Sequence, residues 1–102
     1  METATIVVNV RKAKPGTYIY CGRPTIYGNP YQIGRDGTRN DVIIKYIDYF
    51  FDKIARDVIF RKKILSLKGH NIGCWCHPEQ CHLDVIAEYL NNYVSLYSSS
   101  SI

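Results

Sequence analysis

The chain reads as an α+β (or small α/β) domain, a sheet of short strands with helices packed on it. Three observations predict this. Residues 5–10 and 17–21 are short β-branched or aromatic runs bounded by turn residues, as strands are. Val42, Ile43, Tyr46, Ile47, Phe50, Phe51, Ile54 and Val58 recur at helical spacing. A further extended run, residues 71–76, leads into a second amphipathic stripe of Val85, Ile86, Tyr89, Leu90 and Tyr93.

Each element follows from its residues in order. Residues 11–16 are basic and end in the turn signal Pro15-Gly16. They would join the first two strands, with the second as a hairpin partner of the first. Gly22-Arg23-Pro24 ends the second strand, residues 27–30 form a turn, and residues 31–33 are a brief extended piece before the loop 34–37. Thr38 is placed to cap a helix, because its hydroxyl can accept from first-turn amides and Asp41 suits the positive helix end. An unbroken helix to Ser66 would be about 42 Å long at about 1.5 Å per residue, too long for this domain. A break is therefore expected near Arg56-Asp57, with Asp57 capping a second, shorter helix and Gly69 closing it. The last helix is expected to open at residues 77–80, since proline is tolerated at a first helical position.

A length of 102 residues suits one domain, taken as residues 1–97, with a polar, disordered tail over 98–102. The net charge of +4 is mild, and no apolar run approaches the roughly 18–20 residues that span a bilayer. The opening residues lack the pattern of a signal peptide, so an intracellular protein without membrane partners is expected. In that setting Cys21, Cys74, Cys76 and Cys81 are expected as free thiols, metal ligands or a reactive thiol rather than as disulfides. The nine tyrosines suit a small core and an adhesive surface equally.

The chain also has an internal likeness. Residues 41–50 placed over 84–93 share Asp, Val, Ile and Tyr, with near matches at Ile/Leu, Asp/Asn and Phe/Tyr. Upstream, Ile33-Gly34 faces Ile72-Gly73. Two similar strand–loop–helix units, about 31–56 and 70–95, are expected to pack together. A groove between them would be lined by Tyr46, Trp75, Tyr89 and Tyr93 and by loop residues of both units.

The densest chemistry lies in Cys74-Trp75-Cys76-His77-Pro78-Glu79-Gln80-Cys81-His82. Cys74, Cys76, Cys81 and His82 could form a compact zinc knuckle, although their spacing is not a standard one. Alternatively Cys81, near a helix start, is a reactive thiol with His77 or His82 as acid or base. The favoured reading is structural, because Cys81 and His82 precede Val85 and Ile86 by four and share their stripe. The loop from Gly34 to Arg39 offers amides, a helix start, Arg35 and Arg39 to an anion such as phosphate, and Arg23 could reach the same anion. It lacks the Lys-Ser/Thr ending of a P-loop. Residues 11–14 and 61–63 are basic and are read as solvated faces rather than a nucleic-acid footprint.

Gly28-Asn29-Pro30, the run Ile33 to Thr38, Gly73-Cys74-Trp75-Cys76 and Cys81-His82-Leu83-Asp84-Val85 together resemble the domain of unknown function 4326, small proteins of phages, bacteria and archaeal viruses. The resemblance runs from about Tyr18 to Tyr93. It implies a viral or mobile-element origin, and hence a host cytoplasm location. It also implies a shared site at Arg23, Gly28, Asn29, Pro30, Gly34, Arg35, Cys74, Trp75, Cys76, Cys81 and His82. Asn29 joins the candidate anion-binding set on this ground.

The leading expectation for function is a binding module whose paired units frame a groove for a peptide, a partner protein or an anionic ligand. The alternative is an enzyme on a nucleotide or base-type substrate, with Cys81 and His82 or His77 as its site. A third is a zinc-stabilised nucleic-acid binder. No cofactor is expected unless zinc occupies the cysteine–histidine cluster.

Overall fold

The computed structural model describes residues 3–94. Its centre is a three-stranded sheet of β1 (Ile6–Asn9), β2 (Ile19–Tyr20) and β3 (Asn71–Cys74), in the order β1-β3-β2. Both pairings are parallel: Ile6 faces Asn71 and Asn9 faces Cys74, while Ile19 faces Ile72 and Tyr20 faces Gly73. The expected hairpin between the first two strands is therefore not formed. β3 lies between them because it is the strand that can be buried most fully, with Ile72 and Cys74 almost wholly out of solvent. Gly73 makes the burial possible. A Cβ there would come within 2.6 Å of the Tyr18 ring and 2.7 Å of a Val10 methyl, which close over the strand.

Between β2 and β3 run α1 (Arg39–Arg56) and α2 (Val58–Leu65). Thr38 caps α1 reciprocally: the Asp41 N–H donates to its hydroxyl at 3.2 Å, and the Thr38 N–H donates to the Asp41 carboxylate at 2.9 Å. The break falls at Asp57, as expected. Its N–H closes α1 onto the Lys53 carbonyl at 2.8 Å, and its carboxylate accepts from the Phe60 N–H at 3.0 Å to start α2. Gly69, at φ +81°, turns the chain into β3.

The last helix, α3 (His82–Glu88), starts later than its sequence suggests. Residues 77–80 form a turn, and Cys81 is the cap residue, with its N–H donating to the Asp84 carboxylate at 3.0 Å. That carboxylate, rather than Pro78, fixes the helix start. A π-helical turn, Tyr89–Val94, follows. Its Asn91 holds the N-terminal end of the chain by bonds in both directions to the Thr5 backbone, 2.8 and 2.9 Å.

Tyr46 and Phe50 from α1, Phe60 and Ile64 from α2, Ile72 from β3, and Leu83, Ile86 and Leu90 fill one core. Each such side chain contributes roughly 1.5–3 kcal/mol relative to leaving it in water. Phe50 meets Phe60 and Tyr89 edge-on, with ring centroids 6.0 and 5.4 Å away. Among the described residues no helix is long and apolar enough to cross a membrane. The expected tail, residues 98–102, lies outside the described residues.

The mixed architecture is as the sequence predicts, but a duplication is not seen. Residues 31–33 form no strand, and Ile33 is exposed where its counterpart Ile72 is buried. The helices also bury different faces. Phe50 is buried and its counterpart Tyr93 exposed, whereas Ile47 is exposed and its counterpart Leu90 buried. The common feature is the helix start, where Asp41 and Asp84 each hold the backbone N–H three residues before them.

Candidate functional site

A cavity of about 470 Å³ opens where β2 and β3 end, between the loops that lead into α1 and α3. The carboxyl ends of parallel strands are where open α/β sheets place ligands, because the loops there diverge and leave a crevice. Tyr20, Gly22 and Arg23 line the cavity from the end of β2, and Cys74, Trp75 and Cys76 from the end of β3. Arg39, Val42 and Ile43 of α1 form a third wall, and Gln80, Cys81 and His82 a fourth.

Among the described residues the lining holds two arginines and no carboxylate. Arg39, the first residue of α1, reaches across to the turn before α3. It donates to the Gln80 carbonyl at 3.2 Å and pairs with the exposed Glu79 carboxylate at 3.2 Å. A hydrogen bond to the Cys76 side chain is the largest cause that raises its pKa. Arg23 is exposed, and its backbone carbonyl accepts from the Tyr20 hydroxyl at 2.7 Å. That hydroxyl in turn accepts from the Trp75 indole N–H at 3.1 Å. Because the N–H lies in the ring plane, Tyr20 meets Trp75 at its edge. The Arg11 guanidinium sits over the indole ring, 5.4 Å from its centroid.

Beneath this rim lie the thiols. Cys74 and Cys81 are each 2% exposed and share a side-chain hydrogen bond. That bond is the largest influence on both groups. It holds the Cys74 thiol down to about 6, helped by the backbone amides of His77 and Cys76 and opposed by burial. It raises the Cys81 thiol, which burial raises further. The two thiols therefore titrate as a pair, and their shared hydrogen bond favours a single negative charge on it. Cys21, beside Cys74, is pushed up to about 12, mainly by burial.

His82 is committed inward. Its Nε2 lies 3.0 Å from the Cys21 carbonyl oxygen, and a carbonyl only accepts, so Nε2 carries the proton. Its Nδ1 lies 3.6 Å from the Cys81 sulfur, and burial lowers its pKa. The ring packs edge-on against Tyr46, with centroids 5.1 Å apart.

The structure thus brings Arg23, Asn29, Arg39, Cys74, Trp75, Cys76, Cys81 and His82 to one cavity. Asn29 serves it indirectly, since its amide donates to the Val42 carbonyl at 3.1 Å and accepts from the Tyr31 N–H at 2.9 Å. Gly34 and Arg35 are elsewhere. Gly34, at φ +96°, bonds to the Gly37 carbonyl, and Arg35 pairs with Asp36 at 2.8 Å and the Pro30 carbonyl at 3.1 Å, so both close their own loop. His77 lines a second cavity of about 410 Å³ beside β1, with Asn9 and Lys12. Tyr46 is fully buried rather than groove-lining, and donates to the Tyr27 carbonyl at 3.1 Å. Tyr89 and Tyr93 stack on each other and meet Phe51 edge-on, and neither lines the cavity. Among the described residues no three His, Cys, Asp or Glu side chains are placed to hold a metal ion. Of the four residues named for zinc, His82 has its Nε2 turned to the Cys21 carbonyl. Tyr20, Tyr31, Gln32 and Gln80 are lining residues that no sequence signal marked, since only the parallel pairing brings them to one crevice.

The sequence model of a family described as Domain of unknown function (DUF4326) matches residues 8–92. The chain belongs to this family. Every lining residue of the larger cavity falls inside the DUF4326 match. An uncharacterised 12.4 kDa protein from the nrdA-td intergenic region of Enterobacteria phage T4 is 32% identical over 83 residues, which cover 80% of this chain and 75% of that protein. The DUF4326 family is phage-associated. No solved structure matches the chain.

Proposed function

We propose that this DUF4326 chain is a binding module whose larger cavity takes an anionic group, carried by a small molecule or by a segment of a partner protein. One observation carries the reading. The cavity at the carboxyl ends of β2 and β3 is lined by Arg23 and by Arg39, which the exposed Glu79 pairs from outside the lining, with aromatic neighbours and no carboxylate among the described lining residues. Arginine suits carboxylate and phosphate because its planar fork donates in pairs. The volume falls in the range of small-molecule sites.

Trp75 is the only tryptophan of the chain and lines the cavity, so its emission reports occupancy. Titration with an acidic hexapeptide and with pyrophosphate is expected to change that emission, and a basic hexapeptide is not. The response should weaken with added salt and should fall in Arg23→Gln and Arg39→Gln. Equal responses to the acidic and basic peptides would remove the anion reading.

A second reading, an enzyme on a nucleotide or base-type substrate, is favoured by the lowered thiol of Cys74. The nucleophile would then be Cys74 rather than Cys81, whose thiol is raised. His82 fits acid–base work poorly, because its protonated nitrogen is bonded to Cys21 and burial disfavours its charged form. Binding is therefore the better supported of the two.

A further inference from the structure

The cavity combines charge with a flat apolar surface, and that combination narrows its ligand. Trp75 is 55% exposed although it lines a cavity. Its indole N–H holds it by the edge to Tyr20, and Arg11 covers one face. The indole nevertheless stays more than half exposed where it borders the cavity. An exposed indole fixed in orientation is a platform for a flat ring, because stacking on it has little further rotamer entropy to lose.

The groups around it divide by chemistry. Arg23 and Arg39 supply positive charge. Gln32 and Gln80, both exposed at the lining, each offer an amide that can donate and accept. An acidic peptide would use the arginines and leave the indole face and the amides without partners. A nucleotide uses all three: phosphate on arginine, base on indole, base edge on amide.

We infer that the cavity binds a nucleoside monophosphate, or the equivalent single unit of a longer strand, with the base stacked on Trp75 and the phosphate between Arg23 and Arg39. This inference rests on the anion-binding reading above and names its ligand class. Stacking on aromatic side chains tolerates any base, so discrimination among bases falls to Gln32 and Gln80.

The test uses the full chain and calorimetry with AMP, GMP, CMP and UMP, beside adenosine, inorganic phosphate and an acidic hexapeptide. At least one mononucleotide should bind about tenfold or more tightly than both adenosine and phosphate, since base and phosphate sites act together. Trp75→Ala should weaken it at least about fivefold, with Trp75→Phe recovering part of the loss. Arg23→Gln should weaken the mononucleotide while leaving adenosine unchanged, which a merely structural role would not produce. Lys62→Ala, outside the cavity lining, should bind as the unmodified chain does. Circular dichroism on each variant separates lost binding from lost folding. Mononucleotides that bind no tighter than phosphate overturn the inference. If the acidic hexapeptide then still binds, the anion reading stands and only the ligand class falls; if neither binds, both fall.

Discussion

His82 Nε2 and the carbonyl oxygen of Cys21 meet at 3.0 Å across 61 positions of sequence. The bond ties the start of α3 to the residue that follows β2, and so holds two walls of the cavity together. Burial lowers the pKa of this histidine from its ordinary 6.5. An unfolded chain then binds the proton more readily than the folded one, and stability rises with pH across that window. The His82 contribution is complete above about pH 6.5 and is lost as pH falls through the lowered folded value. The urea midpoint should be lower at pH 5 than at pH 7.5. His82→Gln, which keeps an N–H donor for Cys21, should flatten this dependence. A wild-type midpoint as high at pH 5 as at pH 7.5 would refute it.

Cys74 should be the thiol that ionises first within the cavity. In a Cys76→Ser background, native labelling with a small iodoacetamide should follow a titration with its midpoint below that of an ordinary thiol, because the Cys81 hydrogen bond lowers Cys74. Cys81→Ala removes the hydrogen-bond partner and should move that midpoint upward. Peptide mapping that finds Cys81 labelled before Cys74 would reverse the assignment.

Asp57 ends one helix and starts the next, so its substitution should exceed an ordinary surface change. Asp57→Ala removes the acceptor of the Phe60 N–H and should cost about 1 kcal/mol in denaturant unfolding. Asp48→Ala, on the same helix, is the comparison and should lie within about 0.5 kcal/mol of wild type.

Tyr46 should behave as a core residue and not as a ligand contact. Tyr46→Phe leaves the Tyr27 carbonyl without its donor and should cost about 1 kcal/mol. Tyr46→Ala should cost on the order of 3–5 kcal/mol, as other large aromatic truncations do. Trp75→Ala, at an exposed position, should lie within about 1 kcal/mol of wild type. Ligand-induced signals should follow Trp75 and not Tyr46→Phe.

Local signals were legible where they act over a few residues. Thr38 with Asp41, and Asp57 between two apolar stripes, specify helix ends through their own neighbouring amides. Pro78 misled because proline only permits a helix start, whereas Asp84 makes one by accepting from Cys81. Tyr46 misled because periodicity marks a buried face without saying which aromatic on it reaches the surface. Residues 41–50 and 84–93 share the chemistry of their helix starts but not their surroundings, since Ile33 is exposed and Ile72 is buried.

The mixed fold class, the break at Asp57, the capped start of α1 and a concentration of cysteine, histidine, arginine and tryptophan in two loops could all be read from residue order. These follow from propensity, spacing and short-range hydrogen bonds. Tertiary structure alone decided that β3 lies between β1 and β2 in parallel, because strand order depends on which strand the rest of the chain can bury. From that order came the crevice that joins Arg23, Arg39 and Trp75, the inward turn of His82 toward Cys21, and the meeting of Cys74 with Cys81. Each depends on groups that meet only after folding, when burial and a neighbour's hydrogen bond set the energy of a charge.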